Sequence, residues 1–198
     1  SEMCIRDRAF VLASGFKANR LLETFGFGPH TQVITYDYSA PALALRKMMI
    51  EEWDGRDFGA FFLGARPRID AMFAGAAAYL PPALLKDAAA IDQEFRREMG
   101  DVFSSNEQWL THWLRFRTHH FVELDVLQDQ AGVQAMLETH ATGNAALWLS
   151  DMFNSPNAVG KFAWDRRKAA YDTVVKGLAE TTDSYLILGS DPRYWIKA

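Results

Sequence analysis

Apolar runs typical of buried strands alternate along the chain with stretches whose apolar residues recur at helical spacing. The runs predict five strands, at residues 10–13, 32–36, 121–127, 145–150 and 184–188. Helical stretches follow at residues 17–25, 40–54, 130–139 and 164–180. Because short connections join alternating strands and helices, the pattern predicts an α/β fold with a mostly parallel, doubly wound sheet.

Residues 57–118 break this alternation. A helix is predicted at 83–99, after Pro81 and Pro82, and Trp109, Trp113 and Phe116 then recur at helical spacing. We interpret the segment as a helical insertion between the second and third strands. Its aromatic residues are expected in the insertion's core rather than in a substrate cage.

Composition narrows the possible classes. The chain has 198 residues, a formal charge of −4 and a single cysteine, which suits one domain, taken as 9–198, and excludes a disulfide framework. The charge argues against a nucleic-acid surface, and no metal-ligand pattern is visible. The longest uncharged apolar run, 71–85, has 15 residues and contains two prolines, whereas a membrane-spanning helix needs about 20. We therefore expect neither a nucleic-acid partner nor a membrane; the oligomeric state is not predicted.

The first eight residues, SEMCIRDR, resemble a translated sequencing-adapter string found at the ends of metagenomic gene fragments. We predict that residues 1–8 are a non-native leader and the chain a fragment; the alternative is an ordinary frayed terminus. Cys4 lies in this leader, so the remainder has no cysteine and no thiol chemistry. The low cysteine count favours a cytoplasmic protein. If Cys4 is not native, however, the rest of the chain has no cysteine, and cysteine usage no longer distinguishes between compartments.

Candidate chemistry lies just after the predicted strands, where parallel sheets bind ligands. Asp37, Asp125 and Asp151 are carboxylates at or beyond three strand ends, and Asp37 follows Gly15 by 22 residues. Nucleotide-binding folds place a glycine turn after the first strand and an acid about 20 residues on, to accept the ribose hydroxyls. The glycine motif is reduced here to ASGFK, so a cofactor without phosphate fits better than a dinucleotide.

From residue 10 to 191 the chain resembles the class I S-adenosylmethionine-dependent methyltransferases. VITYDYS (33–39), FVELDVL (121–127) and ALWLSDMFN (146–154) are similar to that family's second-, third- and fourth-strand motifs. The first motif departs from the family's acidic, glycine-rich pattern, and its last two strands are not evident after Asp191. The resemblance implies a Rossmann-like sheet of about five strands in the order 3-2-1-4-5.

The resemblance also implies roles for individual residues. Asp37 would hold the ribose of S-adenosylmethionine, and Asp125 would contact the adenine amino group. The loop after the fourth strand would face the methyl group and an unidentified acceptor, with Asp151 as the candidate general base. The remaining predicted cofactor-binding residues are Ser14, Gly15, Tyr38 and Ser150. His119 and His120 are weaker candidates because they precede the third strand.

Other interpretations stay open. Asp37 could cap the following helix, Asp125 could pair with an arginine, and Asp151 could serve a turn. Residues 166–168, RRK, are read as a solvated helix face. Two competing functions remain: a non-catalytic Rossmann-like binding module that has lost the cofactor, and an α/β enzyme with a nucleotide or nicotinamide cofactor.

Overall fold

A computed structural model describes residues 7–13, 15–74, 87–116 and 119–189. Its strands form one parallel sheet in the order β3-β2-β1-β4-β5. This order confirms the predicted Rossmann-like α/β fold. The strands are β1 (Arg8–Leu12), β2 (Gln32–Asp37), β3 (His119–Glu123), β4 (Asn144–Trp148) and β5 (Ser184–Leu188).

Helices connect the strands, as the periodicity predicts. In the described part of the chain they are α1 (Lys17–Phe25), α2 (Ala40–Glu52), α3 (Phe58–Met72), α4 (Ala88–Met99), α5 (Asn106–Phe116), α6 (Gln130–His140), α7 (Pro156–Lys161) and α8 (Trp164–Thr181). A single turn of 3₁₀-helix follows α4. Ser39 is the N-cap of α2, with its hydroxyl accepting from the Ala42 N–H at 3.3 Å.

Two strands end earlier than their apolar runs suggest. Leu124 and Val126 are buried in the core, but β3 ends at Glu123 because Asp125 turns the chain: its carboxylate accepts the Leu127 N–H at 3.0 Å. At β4 the run continues through Leu149, but the strand ends at Trp148 and Ser150 adopts a positive φ of 52°. Because buried apolar residues continue past the end of each strand, the length of an apolar run overestimates the length of the strand.

The chain divides into two compact units. The first comprises residues 1–12, 26–38 and 119–198 and contains the whole sheet. Its core packs one face of the sheet, including Phe10, Ile34 and Leu147, with Leu137 of α6 and Leu178 of α8. These side chains are at most 1% exposed, which fixes the register of the central strands.

The second unit comprises residues 13–25 and 39–118, and an aromatic cluster forms much of its interior. Phe16 contacts neighbouring rings in edge-on geometry, with centroids 4.7 Å from Phe95 and 5.7 Å from Trp53. Trp109, Trp113 and Phe116 are all buried. The prediction that these three residues are core is confirmed.

Several predictions fall partly outside the described residues. The predicted helix at 83–99 is described from Ala88 onward, while Pro81 and Pro82 lie outside. Of the suspected leader, Asp7 and Arg8 are described: Arg8 begins β1, and the Asp7 carboxylate accepts the Asn144 N–H at 2.8 Å. The leader's origin and the domain boundaries stay predictions. Among the helices described, none is long and apolar enough to cross a membrane.

Candidate functional site

All five strands run in parallel, so their carboxyl ends share one edge of the sheet, and the strand order reverses between β1 and β4. Ligands of open parallel sheets bind outside this edge, at the point of reversal. Within the described residues, β1 pairs with β4 only from Arg8 to Phe10, whereas its pairing with β2 continues to Leu12. The last two residues of β1 therefore have no ladder partner on the β4 side.

Tyr36 of β2 bridges this break. Its hydroxyl donates to the Trp148 carbonyl at 2.7 Å, joining the strands on either side of β1. Burial, and secondarily the charge of Asp37, raises the pKa of Tyr36 well above its ordinary value. The phenol thus stays protonated and fixes the end of β4.

Asp37 and Tyr38 follow directly at the end of β2. The Asp37 backbone carbonyl accepts the Leu124 N–H at 2.9 Å, which holds the ends of β2 and β3 together. The Asp37 side chain is 8% exposed, whereas Tyr38 is 60% exposed, a high value for an aromatic ring. Since Ser39 is the N-cap of α2, the structure gives that role to Ser39 rather than Asp37.

Asp125 lies in the turn after β3 and has a local structural role. Its carboxylate accepts from the Leu127 N–H and the Gln128 side-chain amide. A carboxylate has about four acceptor positions, so the contacts with described residues leave about two for a ligand. No arginine contact is found among its described partners, and the alternative of an Asp–Arg pair gains no support.

Ser150 and Asp151 begin the loop after β4. The positive φ of Ser150 turns the chain out of the strand, and its hydroxyl lies 3.2 Å from the Asp151 carboxylate. Asp151 is exposed, and its carbonyl accepts the Asn154 N–H at 2.8 Å in a turn. Backbone atoms of Asp151 thus serve the turn while its carboxylate faces solvent.

Gly189 explains how the ends of β4 and β5 approach each other. It has φ +88°, and a Cβ on it would lie 2.7 Å from the Ser150 nitrogen and 3.0 Å from Trp148 Cδ1. A side chain at this position would collide with the backbone of the β4 loop. The indole of Trp148 therefore lies at the carboxyl edge, against the end of β5.

Arg167 holds the β4 loop in place, which the sequence did not reveal. It is 7% exposed, and its guanidinium donates to the carbonyls of Phe153 at 2.6 Å and Phe162 at 3.2 Å. The prediction that residues 166–168 form a solvated face is wrong at Arg167, because the loop's carbonyls need a buried donor. Arg166 and Lys168 are exposed as expected.

Gly15 belongs to the second unit, and Ser14 lies outside the described residues. Gly15 has φ +64°, and a Cβ on it would overlap the Glu98 carboxylate. The carbonyls of Ala13 and Gly15 accept hydrogen bonds from the buried Arg46 guanidinium. The turn therefore has a structural requirement for glycine that does not depend on any ligand.

The second unit also contains a row of hydrogen-bonded polar side chains, Glu23, His112 and Asn19. His112 is 2% exposed, with Nδ1 2.7 Å from the Glu23 carboxylate and Nε2 3.2 Å from the Asn19 amide nitrogen. Burial lowers the pKa of His112 to about 4, although Glu23 acts in the opposite direction. The neutral ring then donates from Nδ1 to Glu23 and accepts from Asn19 at Nε2.

His119 and His120 begin β3, at the opposite edge of the sheet from Asp37. The His120 ring lies 5.1 Å from that of His140. The sequence placed His119 and His120 just before the third strand, whereas the structure makes them its first two residues. His120 still lies at the opposite edge from the strand-end carboxylates, as predicted. Among the described residues, no group of three or more His, Cys, Asp or Glu side chains is arranged to hold a metal ion.

No protein-family model matches this chain, and comparisons with curated proteins and with solved structures found no match.

Proposed function

We propose that this protein binds S-adenosylmethionine at the carboxyl edge of its sheet and transfers the methyl group to an unidentified acceptor. The observation that carries the proposal is the break between β1 and β4, flanked by Asp37 at the end of β2. A break of this kind at the reversal of strand order is where parallel sheets accept ligands. The resemblance of residues 33–39 and 146–154 to methyltransferase motifs supports the choice of ligand.

The charges at this edge suit such a ligand. Asp37, Asp125 and Asp151 supply three carboxylates, one after each of three strands. The buried Arg167 donates its hydrogen bonds to backbone carbonyls rather than to these carboxylates. Carboxylates attract a cation and repel a phosphate. A sulfonium cofactor is therefore favoured over a nucleotide or nicotinamide cofactor.

In this proposal, Asp37 accepts hydrogen bonds from the two ribose hydroxyls, and Tyr38 offers an exposed ring beside it. Asp125 uses its remaining acceptor positions for the adenine amino group. When bound, the sulfonium supplies an activated methyl group with a good leaving group. The protein's contribution is alignment and exclusion of water, which supply much of the rate in such transfers.

Asp151 is the proposed general base. It is needed only where the acceptor must lose a proton, and its exposed carboxylate can accept one from a hydroxyl or amine. The Arg167 hydrogen bonds to the same loop would keep that carboxylate in position. Ser150, 3.2 Å from the Asp151 carboxylate, would orient it.

The competing function, a binding module without cofactor, is favoured by one observation. Glu98 lies against Gly15, in the turn that methyltransferases leave open for the cofactor. The close approach of Glu98 therefore accounts for a glycine at this position without any bound cofactor. The two hypotheses differ in whether S-adenosylhomocysteine, the stable product, binds at all.

Calorimetric titration with S-adenosylhomocysteine tests the proposal. Wild type is expected to bind, and Asp37→Asn to bind about 10- to 100-fold more weakly, because hydrogen bonds to a charged group contribute about 1.5–3 kcal/mol. Asp172→Asn is the matched control, since Asp172 lies exposed on α8, paired with Lys168. No heat of binding in wild type, or equal affinity in Asp37→Asn and wild type, would contradict the proposal.

A further inference from the structure

Trp148 differs from the other buried tryptophans of the described chain. Trp53, Trp109 and Trp113 each donate their indole N–H to a backbone carbonyl, at 2.5, 2.8 and 3.1 Å. Trp148 is 4% exposed, and its Nε1 has no hydrogen-bond partner among the described residues. A buried donor without a partner is destabilising, and in a native protein it calls for an explanation such as local strain, a bound water or ion, or a functional contact.

Thr35 shows the same deficiency nearby. It is fully buried, and its hydroxyl also has no hydrogen-bond partner in the described part of the chain. Thr35 pairs with Val11 across β2 and β1, and Leu147 pairs with Phe10, so Trp148 stands level with Val11. In-register residues of parallel strands share a face, which puts Thr35 and Trp148 on one face, two strands and roughly 10 Å apart.

That face is the one that carries Asp37. Side chains alternate along a strand, so Thr35 and Asp37 share a face, while Ile34 and Tyr36 belong to the core cluster on the other. Thr35 on β2 and Trp148 on β4 therefore stand on either side of β1, on the Asp37 face, and the Trp148 indole extends from there towards the end of β5. Because Thr35 and Trp148 are buried in the free protein, a molecule bound by Asp37 would have to displace neighbouring side chains on this face to meet both.

We infer that the Trp148 indole N–H and the Thr35 hydroxyl are ligand-binding groups for the molecule held by Asp37. The indole donates to an acceptor atom of that molecule, and the hydroxyl forms a second hydrogen bond to it. This inference rests on the proposed function, in which the molecule is S-adenosylmethionine. Trp148 then adds an N–H donor to an edge where the three carboxylates can only accept hydrogen bonds.

Nuclear magnetic resonance tests the Trp148 assignment directly, because each of the six tryptophans gives one indole N–H signal in a ¹⁵N-labelled sample. The Trp148 signal is identified by sequential assignment and by its loss in Trp148→Phe. On titration with S-adenosylhomocysteine it is expected to move downfield as the hydrogen bond forms, while the signals of Trp53, Trp109 and Trp113 stay in place. A Trp148 signal that does not move at saturation overturns the inference.

Thr35→Val separates a ligand-binding role from a structural one, since it removes the hydroxyl at nearly constant shape. Because the hydroxyl has no partner in the free protein, the unfolding midpoint is expected to stay or rise, while affinity for S-adenosylhomocysteine falls about 3- to 10-fold. Trp148→Phe is expected to weaken binding about 5- to 50-fold, and Trp164→Phe, outside this face, to leave it unchanged.

The outcomes distinguish the two proposals. If wild type does not bind S-adenosylhomocysteine, the proposed function fails and this inference fails with it. If wild type binds and Asp37→Asn weakens binding, but Thr35→Val and Trp148→Phe bind like wild type, the inference alone is wrong. A lower unfolding midpoint in Thr35→Val with unchanged affinity would assign the hydroxyl a purely structural role.

Discussion

At the scale of single residues, burial decides which polar side chains have a fixed role. His112 is the clearest case in the second unit, because it is enclosed between Glu23 and Asn19 and held neutral. Its unfolded counterpart has an ordinary pKa of about 6.5, whereas burial lowers the folded pKa to about 4. Folded and unfolded chains therefore bind different numbers of protons between these values.

This difference predicts a pH-dependent stability. As pH falls from about 6.5 to 4, the unfolded state takes up a proton that the folded state does not, so the free energy of unfolding falls by up to about 3 kcal/mol. Urea denaturation at a series of pH values measures it. His112→Gln should lose this slope, and His30→Gln, an exposed control, should keep it. An equal slope in wild type and His112→Gln would show that other groups cause it.

Residue patterns predicted some members of the candidate site and missed others. Asp37, Asp125 and Asp151 were identifiable because each is a carboxylate at or just beyond the end of a predicted strand, where parallel sheets bind ligands. Thr35 and Trp148 look like ordinary strand residues, and Arg167 and Arg46 like surface charges. Their roles depend on carbonyls and neighbours brought together by the fold, which local sequence does not encode.

At the scale of elements, Arg167 anchors the segment between β4 and α8, which includes α7. Arg167 donates to carbonyls at both ends of this segment, Phe153 and Phe162, and also contacts the Asn154 side chain at 3.1 Å. Removing the guanidinium leaves these buried acceptors without a donor. Arg167, on a helix that follows Asp151 in sequence, thus helps to position the segment that carries Asp151.

Arg167→Met is expected to lower the free energy of unfolding by about 2–4 kcal/mol, since several buried hydrogen bonds are lost together. Chemical denaturation gives this value, and hydrogen exchange should show faster exchange in residues 153–162. Lys168→Met provides the control, because its exposed pair with Asp172 contributes little. If both variants lost the same stability, Arg167 would have no special role in the loop.

Element boundaries were predicted well where capping and periodicity agree, as at α1 and β5, whose bounds match the structure. The end of β3 was misplaced because Leu124 and Val126 pack into the core from a turn. Apolar character reports burial, and a strand is only one way to bury a residue. The parallel α/β sheet was easier to predict, since alternating strands and helices allow few arrangements, and its strand order followed from the resemblance.

At the scale of the whole molecule, ligand chemistry follows from where the charges lie. The protein carries a formal charge of −4, and three of its carboxylates follow strands at one edge of the sheet. This distribution favours a ligand that is neutral or cationic at that edge and disfavours phosphates. We propose S-adenosylmethionine as that ligand.

The most direct test is a map of backbone amide shifts during titration of the ¹⁵N-labelled protein with S-adenosylhomocysteine, with NADH as the comparison ligand. If S-adenosylmethionine binds as proposed, shifts are expected at the carboxyl edge, at Asp37, Tyr38, Asp125, Ser150 and Asp151. No shifts are expected at His120, Asn144 and Ser184, and none anywhere with NADH. Shifts confined to the opposite edge, or no shifts with S-adenosylhomocysteine, would contradict it.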